Sequence, residues 1–115
     1  MPTQLSALTD ATFPSGSDLD GIVVLDFWSE WCMPCRQVSR ILHELEAVLP
    51  SSVRVFSVDA EENPALVARF DVKTVPTVIV VCVGEVVDRF LGVERPQVLK
   101  RAIERHVPAD EEDSR

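Results

Sequence analysis

The amino-acid sequence predicts an α/β fold in which a central mixed β-sheet is flanked by helices on both faces. Three observations support this prediction. The chain has 115 residues, which fits one domain of ordinary size. Its hydrophobic pattern switches between the period of a strand and that of a helix in the order β, α, β, α, β, β, α. Its first strong strand is apolar on both alternating faces, as expected for a strand covered on two sides.

The first half supplies two strands and a long helix. Residues 22–28, IVVLDFW, form the doubly covered strand, which Asp26 interrupts. From Pro34 onward the apolar residues fall at helical spacing, and this amphipathic helix ends near Pro50. Its buried stripe consists of Val38, Ile41, Leu42, Leu45, Val48 and Leu49. Residues 53–58 form the second strand.

Two further helices follow. The first has Asn63 as its N-cap and Pro64 at its first position, and it stops near Asp71. The second runs over residues 96–107, with one apolar stripe formed by Val98, Leu99, Ala102, Ile103 and either His106 or Val107. Both helices are expected to pack on the sheet through these apolar residues.

A β-hairpin lies between those two helices. Residues 77–83 are strongly β-branched, and residues 86–91 return as the antiparallel partner strand. Gly84 and Glu85 are expected to make the tight turn. Gly92 then ends the pairing.

The two ends of the chain have weaker patterns. Residues 4–8 suggest a short edge strand, and an irregular helix is expected after it, before Asp20. Residues 109–115 carry an acidic run with no apolar residue larger than alanine. We therefore predict a folded domain over residues 1–108, followed by an acidic disordered tail or the start of a linker.

The net charge restricts the choice of partners. Eleven Lys and Arg residues against nineteen Asp and Glu residues give a net charge of −8. This charge repels phosphate backbones and anionic lipid surfaces, so neither nucleic acid nor a membrane is expected as a partner. There is no Lys or Arg before Arg36 and no long apolar run, so neither a targeting segment nor a membrane span is predicted. We expect a cytoplasmic monomer.

Trp31-Cys32-Met33-Pro34-Cys35 lies where the first strong strand leads into the long helix. Unpaired amides and the dipole at a helix N-terminus favour a thiolate, so Cys32 is the expected nucleophile. Helical spacing turns Cys35 toward the buried stripe, which suits a resolving thiol that displaces the reduced target from a mixed disulfide. Pro34 fits the first helical turn, where no amide donor is needed.

A structural zinc site is the alternative use of these cysteines. Zinc needs about four ligands. The remaining candidates are Cys82, in an apolar strand, His43, on a solvent-facing side, and His106, near the end of the chain. We expect Cys82 to pack as a small buried hydrophobic residue and both histidines to lie at the surface, so redox chemistry is favoured over zinc.

Asp26 is the second residue that points to chemistry. A carboxylate within an apolar strand is costly unless it is paired or held protonated with a raised pKa. A buried acid below a dithiol can take and return the proton of the resolving thiol. The alternative is a carboxylate that reaches solvent at an edge of the sheet.

These residues together resemble the active-site segment of the thioredoxin family. In that family an aspartate precedes a Trp-Cys-x-Pro-Cys motif, as in DFWSEWCMPC here. Val75-Pro76-Thr77 resembles the cis-proline turn of the family, although a Val-Pro bond by itself is more often trans. Gly84-Glu85 resembles its hairpin turn, and Gly92 resembles the glycine beside its substrate groove. The resemblance covers residues 22–107.

The resemblance implies the thioredoxin fold and a protein-disulfide reductase. Cys32 would be the nucleophile, Cys35 the resolving thiol, Asp26 the buried proton acceptor and Pro76 the cis-proline beside the dithiol. Trp31, Met33, Pro34, Val75 and Gly92 would form the contact surface, with the Val75 backbone pairing with an extended target segment. The substrates would be disulfide-containing proteins, and a reductase of the thioredoxin-reductase type or another thiol donor would supply electrons. No bound cofactor is required, because the two thiols carry the electrons.

Two departures from the family pattern have consequences. Met33 stands where glycine is usual, so a flexible apolar side chain lies between the cysteines. Val55 is expected at the position of the lysine that often accompanies the buried aspartate. Without that lysine the charged form of Asp26 has less support, so Asp26 is expected to titrate unusually high.

Residues 63–106 also resemble the N-terminal thioredoxin-like domain of multidomain monothiol glutaredoxins, which work in iron–sulfur handling. Those domains commonly lack the complete dithiol, whereas both cysteines are present here. The alternatives to a reductase are therefore a thioredoxin-like adaptor or redox-sensing domain, and an iron–sulfur cluster shared by two chains through their thiols.

Overall fold

A computed structural model of the chain describes residues 5–13 and 20–108. In these residues five strands form one mixed sheet in the order β1-β3-β2-β4-β5. The strands are β1 (Ser6–Ala7), β2 (Ile22–Trp28), β3 (Val53–Asp59), β4 (Thr77–Cys82) and β5 (Glu85–Leu91). The helices are α1 (Met33–Glu46), α2 (Pro64–Arg69) and α3 (Pro96–Glu104). The predicted α/β architecture is confirmed.

The sheet combines parallel and antiparallel pairs. β1 and β2 run parallel to β3 on its two sides, whereas β4 runs antiparallel to both β2 and β5. β2 is therefore the central strand, with β3 and β4 as its neighbours. Because β2 leads directly into α1, the N-terminus of α1 lies at the carboxyl end of the central strand.

Two hydrophobic cores lie on opposite faces of the sheet. The α1-side core joins alternate residues of β2, β3 and β4 to Val38 and Leu42 of α1 and to Leu99 and Ile103 of α3. The α2-side core joins the other alternate residues to Leu66 and to the segment that follows α2. Helices thus cover both faces, because the alternation of each strand sends its apolar side chains to both sides.

The boundaries of the longer helices differ from those predicted. α1 begins at Met33 and ends at Glu46 instead of near Pro50. The amides of Val48 and Leu49 both donate to the Leu45 carbonyl, which closes the helix in a turn. As a result Leu49 stays buried while Val48 is 51% exposed, so its place in the predicted buried stripe was wrong. α3 ends at Glu104, three residues before the predicted end, although Val107 is still buried.

The hairpin turn is centred one residue earlier than predicted. β4 ends at Cys82 and β5 begins at Glu85, and these two residues are register partners. Val83 and Gly84 therefore form the turn, with φ of +50° and +83°. A positive φ at both central positions matches the twist of a two-residue hairpin, and it is costly for a β-branched residue such as Val83.

The short helix α2 is capped from a distant part of the chain. Asn63 occupies the N-cap position, as predicted, but its side chain makes no capping hydrogen bond. The Asp10 carboxylate instead accepts hydrogen bonds from the amides of Ala65 and Leu66, at 3.0 and 2.9 Å. The Asn63 side chain accepts a hydrogen bond from the Asp10 backbone amide and donates one to the Asp59 carbonyl. These two bonds fix the N-terminal segment to α2.

The N-terminal strand is shorter than predicted. Among the described residues 5–8, the strand comprises Ser6 and Ala7, which pair with β3 at one edge of the sheet. An irregular helix is expected after the strand; its described part, up to Phe13, is a turn in which the Thr9 carbonyl accepts from the amides of Thr12 and Phe13, and its remainder lies outside the described residues. Residues 14–19 and 109–115, including the predicted acidic tail, lie outside the described residues. In the part of the chain that the structure describes, no helix is long and apolar enough to span a membrane.

Candidate active site

The two cysteines meet at the N-terminus of α1. Cys32 is the N-cap residue, and its sulfur accepts a hydrogen bond from the Cys35 amide at 3.2 Å. Cys32 and Cys35 form a disulfide, with their Cα atoms 5.3 Å apart. Pro34 occupies the first turn, where its missing amide leaves no helical hydrogen bond unmade. The helix terminus thus directs the Cys35 amide at the Cys32 sulfur. Such a donor stabilises a thiolate at that position.

The disulfide is nearly covered, but its surroundings are exposed and apolar. Cys32 and Cys35 are both buried. Trp31 and Met33, on either side of Cys32, are 69% and 67% exposed. Two large apolar side chains therefore stand in solvent beside the reactive bond, an arrangement typical of a surface that contacts other proteins.

Asp26 lies in the central strand β2 and contacts α1 through Ser39. It is completely buried, so the alternative of a carboxylate at a sheet edge was wrong. Its Oδ2 accepts a hydrogen bond from the Ser39 hydroxyl at 2.5 Å, and Ser39 lies one helical turn after Cys35 on α1. Burial raises the pKa of Asp26 to about 7, and the Ser39 hydrogen bond lowers that pKa in part. At neutral pH this carboxyl is poised to accept or to donate a proton.

The residue beside Asp26 on β3 is Ser57, not Val55. The parallel register pairs Asp26 with Ser57 and Val24 with Val55. Val55 lies in the α1-side core, two residues before Ser57, so the expectation that Val55 is the residue beside Asp26 was wrong. The predicted high titration of Asp26 agrees with a site whose neighbour on β3 is a neutral hydroxyl.

The Val75–Pro76 peptide bond is cis and precedes β4. The Pro76 carbonyl accepts a hydrogen bond from the Gly92 amide at 2.9 Å, so the predicted Pro76 and Gly92 are adjacent. The Thr77 hydroxyl donates to the Thr74 carbonyl at 2.7 Å and closes the turn. Gly92 has a φ of +85°, which a residue with a side chain rarely adopts.

A cavity of about 270 Å³ connects Trp31 with Val75. Glu61 and Lys73 lie among its lining residues. The Trp31 indole donates to the Glu61 carboxylate at 2.7 Å, so a hydrogen bond joins two residues of the lining. The sequence contains no signal for Glu61, Ser39 or Ser57. Each lies far along the chain from the site residue that it neighbours in the fold.

The remaining candidates stay apart from the dithiol. Cys82, expected to be buried, is half-buried against the α1-side core and carries a free thiol. His43 is exposed, as predicted. His106 is half-buried instead of exposed, with its Nε2 3.4 Å from the Asp88 carboxylate. No group of three or more His, Cys, Asp or Glu residues within 5–13 and 20–108 is arranged to hold a metal ion.

Comparison with known proteins agrees with this site. The profile of the Thioredoxin family matches residues 4–105. The chain belongs to the thioredoxin family. It is 34% identical over 100 residues to the thioredoxin of Staphylococcus saprophyticus, and 33% identical to that of Staphylococcus aureus. Each alignment covers 87% of this chain and 95% of the relative.

A solved structure has the same fold. A mutant thioredoxin from Halobacterium salinarum superposes with a TM-score of 0.78 at 27% identity, covering 90% of this chain and 93% of that one. The predicted thioredoxin fold is therefore confirmed. Together with the Cys32–Cys35 pair, family membership makes the chain a dithiol/disulfide oxidoreductase, a protein-disulfide reductase. The adaptor and glutaredoxin-like alternatives are not favoured. Thioredoxins act on disulfide substrates and receive electrons from a reductase.

Proposed function

We propose that this member of the thioredoxin family reduces protein disulfides by nucleophilic attack of Cys32, followed by resolution by Cys35. The Cys32 thiolate attacks one sulfur of the target disulfide, and the other target sulfur leaves as a thiolate. The Cys35 thiolate then attacks the Cys32 sulfur, the mixed disulfide breaks, and the second target thiolate leaves. Two electrons pass to the target, and the Cys32–Cys35 disulfide remains. The hydrogen bond from the Cys35 amide to the Cys32 sulfur is the observation that carries this assignment of roles.

Asp26 is assigned the proton transfer in the second half of the reaction. Cys35 is buried on the inner face of α1, so its thiol has little access to a base in solvent. Ser39, one turn along the same helix, bonds Asp26, which places the carboxyl beneath this part of α1. A carboxyl with a pKa of about 7 accepts the Cys35 proton when the thiol attacks and releases it again afterwards.

Target proteins are proposed to bind over Trp31, Met33, Pro34, Val75, Pro76 and Gly92. The exposed Trp31 and Met33 side chains contribute apolar contact, and the backbone at Val75 pairs with an extended segment of the target. Pro76 and Gly92 are held together by their backbone hydrogen bond, so this side of the surface is fixed before a target arrives. Met33 adapts to different targets because its side chain is flexible.

The remaining expectations also belong to this proposal. The domain comprises residues 1–108, and residues 109–115 form a tail or linker. The protein works as a monomer in the cytoplasm, with a thioredoxin-reductase-type enzyme or another thiol donor as its source of electrons. Its net charge of −8 argues against nucleic-acid and membrane partners. No resident cofactor takes part, since the two thiols carry the electrons.

Turnover of a model protein disulfide tests this function. Insulin reduction is measured with dithiothreitol as the electron supply for the wild type, Cys32→Ser and Cys35→Ser. We expect both variants to lose turnover, and Cys35→Ser to accumulate a mixed disulfide that mass spectrometry detects. Cys82→Ser is the matched control, because it removes the remaining thiol outside the pair, and it should retain turnover. Wild-type turnover no faster than that of Cys32→Ser would contradict the proposal.

A further inference from the structure

A carboxylate lines the cavity between Trp31 and Val75. It belongs to Glu61, which is also exposed to solvent. Its Oε2 accepts the hydrogen bond from the Trp31 indole at 2.7 Å. An ionised carboxylate has about four lone-pair positions on its two oxygens, and the indole N–H takes one of them. Glu61 can therefore accept from a second donor without losing its bond to Trp31.

The loop that carries Glu61 is held by its own hydrogen bonds. The Asp59 carboxylate accepts from the Glu61 amide at 3.0 Å. The Ala60 amide donates to the Trp28 carbonyl at 2.8 Å, which ties the loop to the end of β2. The Glu61 carboxylate and the Trp31 ring are thus placed together before a target binds, and such preorganisation lowers the entropy cost of binding.

The Trp31 ring offers a second contact of the same electrostatic kind. The ring is exposed, and its N–H donates in the plane of the indole, so the bond to Glu61 covers neither face of the ring. The face of an indole is negative and attracts cations more strongly than that of the other aromatic side chains. An indole face beside a carboxylate therefore favours a positively charged group that donates hydrogen bonds.

The walls of the cavity fit the stem of a long basic side chain. Val67, Val72 and Val75 are among its lining residues. Lys and Arg place their methylene stems along such apolar surface while the charged head stays at the polar end. The volume of about 270 Å³ exceeds the roughly 150 Å³ of a cavity that holds a benzene ring, so one long side chain fits. An apolar side chain would instead strip water from the Glu61 carboxylate without replacing its hydrogen bonds.

We propose that Trp31 and Glu61 form a specificity site for an arginine side chain of the target, close in sequence to the target cysteine. The guanidinium group stacks on the Trp31 ring and donates to the Glu61 carboxylate. Arginine is favoured over lysine because its planar group stacks on aromatic faces and donates in several directions. This inference rests on the proposed function, in which targets bind over Trp31 and Val75, and it adds no redox step.

The charges around the cavity agree with a basic ligand. Lys73 also lines the cavity and would repel a guanidinium group, but its ammonium lies 3.1 Å from the Asp71 carboxylate. Asp59 and Glu62 lie within two residues of Glu61, so the loop carries three carboxylates. The net charge of −8 attracts a basic segment over a longer range.

Peptides activated with thionitrobenzoate test this site. Each peptide is a glycine–serine chain with one cysteine in a mixed disulfide with thionitrobenzoate. It also carries one arginine, placed between three residues before and three residues after the cysteine. The Cys32 thiolate attacks the peptide sulfur and releases the coloured thionitrobenzoate anion, so stopped-flow absorbance gives the rate constant. Matched peptides carry glutamine or lysine in place of arginine, and the reduced wild type is compared with Glu61→Gln and Glu62→Gln.

At the position that fits the cavity, we expect the arginine peptide to react about three- to tenfold faster than its glutamine counterpart, with lysine in between. Glu61→Gln should reduce this ratio at least about twofold. Glu62→Gln is the matched control, because it removes the same charge from the same loop while Glu61 still bonds Trp31. It should keep the wild-type ratio.

A charge reversal guards against a folding defect in Glu61→Gln. Glu61→Lys should react faster than the wild type with a peptide that carries glutamate at the same position. Loss of folded protein cannot produce such a gain. A glutamate peptide that reacts no faster with Glu61→Lys than with the wild type would contradict direct contact with residue 61.

The outcomes separate this inference from the proposed function. If the peptides react no faster with the wild type than with Cys32→Ser, the proposed attack by Cys32 fails. If they react but arginine gives no advantage at any position, the proposed function stands and the specificity site is refuted. An arginine advantage that Glu61→Gln leaves unchanged, or that Glu62→Gln reduces equally, would also refute the contact with Glu61.

Discussion

The two faces of the central strand show how stability and function are divided in this molecule. On the α2 side, β2 contributes Val23, Leu25 and Phe27, all completely buried and apolar. On the α1 side, the same strand contributes Ile22 and Val24 to a similar core, and then the buried Asp26 two residues further along. One strand thus carries an uninterrupted apolar face and a face interrupted by a carboxyl.

This difference indicates where the fold gives up stability for chemistry. An apolar residue at position 26 would be favourable in the same surroundings, because burial penalises the charged carboxylate. The carboxyl is held by a single hydrogen bond, from Ser39, and its other oxygen has no partner among the described residues. On the α2 side, β2 buries no carboxyl. We therefore expect substitutions of its apolar residues there to destabilise the protein, and substitution of Asp26 on the α1 side to stabilise it.

The largest expected effect is on the α2 side. Phe27→Ala should lower the free energy of unfolding by about 3 to 5 kcal/mol, because it removes a fully buried ring and leaves a cavity. The lost ring also packs against Phe70, at 6.2 Å between centroids. Urea unfolding of the oxidised proteins measures this loss. Phe27→Leu is the matched control and should lose less, and a loss below about 1 kcal/mol for Phe27→Ala would contradict a rigid α2-side core.

On the α1 side the expected effect has the opposite sign and depends on pH. The pKa of Asp26 is about 7 in the folded protein, against 3.8 as its ordinary value. Between these two values the folded state holds one more proton than the unfolded state, so stability falls as pH rises. The penalty is complete above about pH 7 and amounts to about 4 kcal/mol. Asp26→Asn should therefore stabilise the protein strongly at about pH 8 and little at about pH 4.

The comparison uses urea unfolding of the two oxidised proteins across this pH range. The contributions of other titrating groups cancel in the difference between Asp26→Asn and the wild type. A difference that does not change with pH would show that the carboxyl is already compensated in the folded state. The same variant should resolve mixed disulfides more slowly above pH 7, which would separate stability from catalysis on this face.

The dithiol and the carboxyl could be predicted because their signals are local. Strand periodicity, a change to helical periodicity and the Cys-x-x-Cys spacing identify Cys32, Cys35 and Asp26 within a span of ten residues. The burial of Asp26 followed from its apolar neighbours in the sequence. No long-range pairing had to be known.

The neighbour of Asp26 on β3 could not be predicted in this way. Val55 and Ser57 are two residues apart, so both point to the same face, and the alternation of apolar residues does not distinguish them. Only the register between β2 and β3 selects Ser57.

The cap of α2 is a second feature that depends on long-range contacts, and it gives the smallest expected effect. α1 is capped locally by Cys32, whereas the amides of Ala65 and Leu66 on α2 are satisfied by Asp10. Asp10→Ala should lower the free energy of unfolding by about 1 kcal/mol, the usual loss for a helix cap. Asp10→Asn is the control, because it keeps an acceptor oxygen and should lose less. Hydrogen exchange should locate the change in α2 and leave the amides of α1 protected. Equal losses of hydrogen-exchange protection in α1 and α2 would mean that Asp10 stabilises the whole sheet. The two sides of the sheet would then depend on each other more than their separate cores indicate.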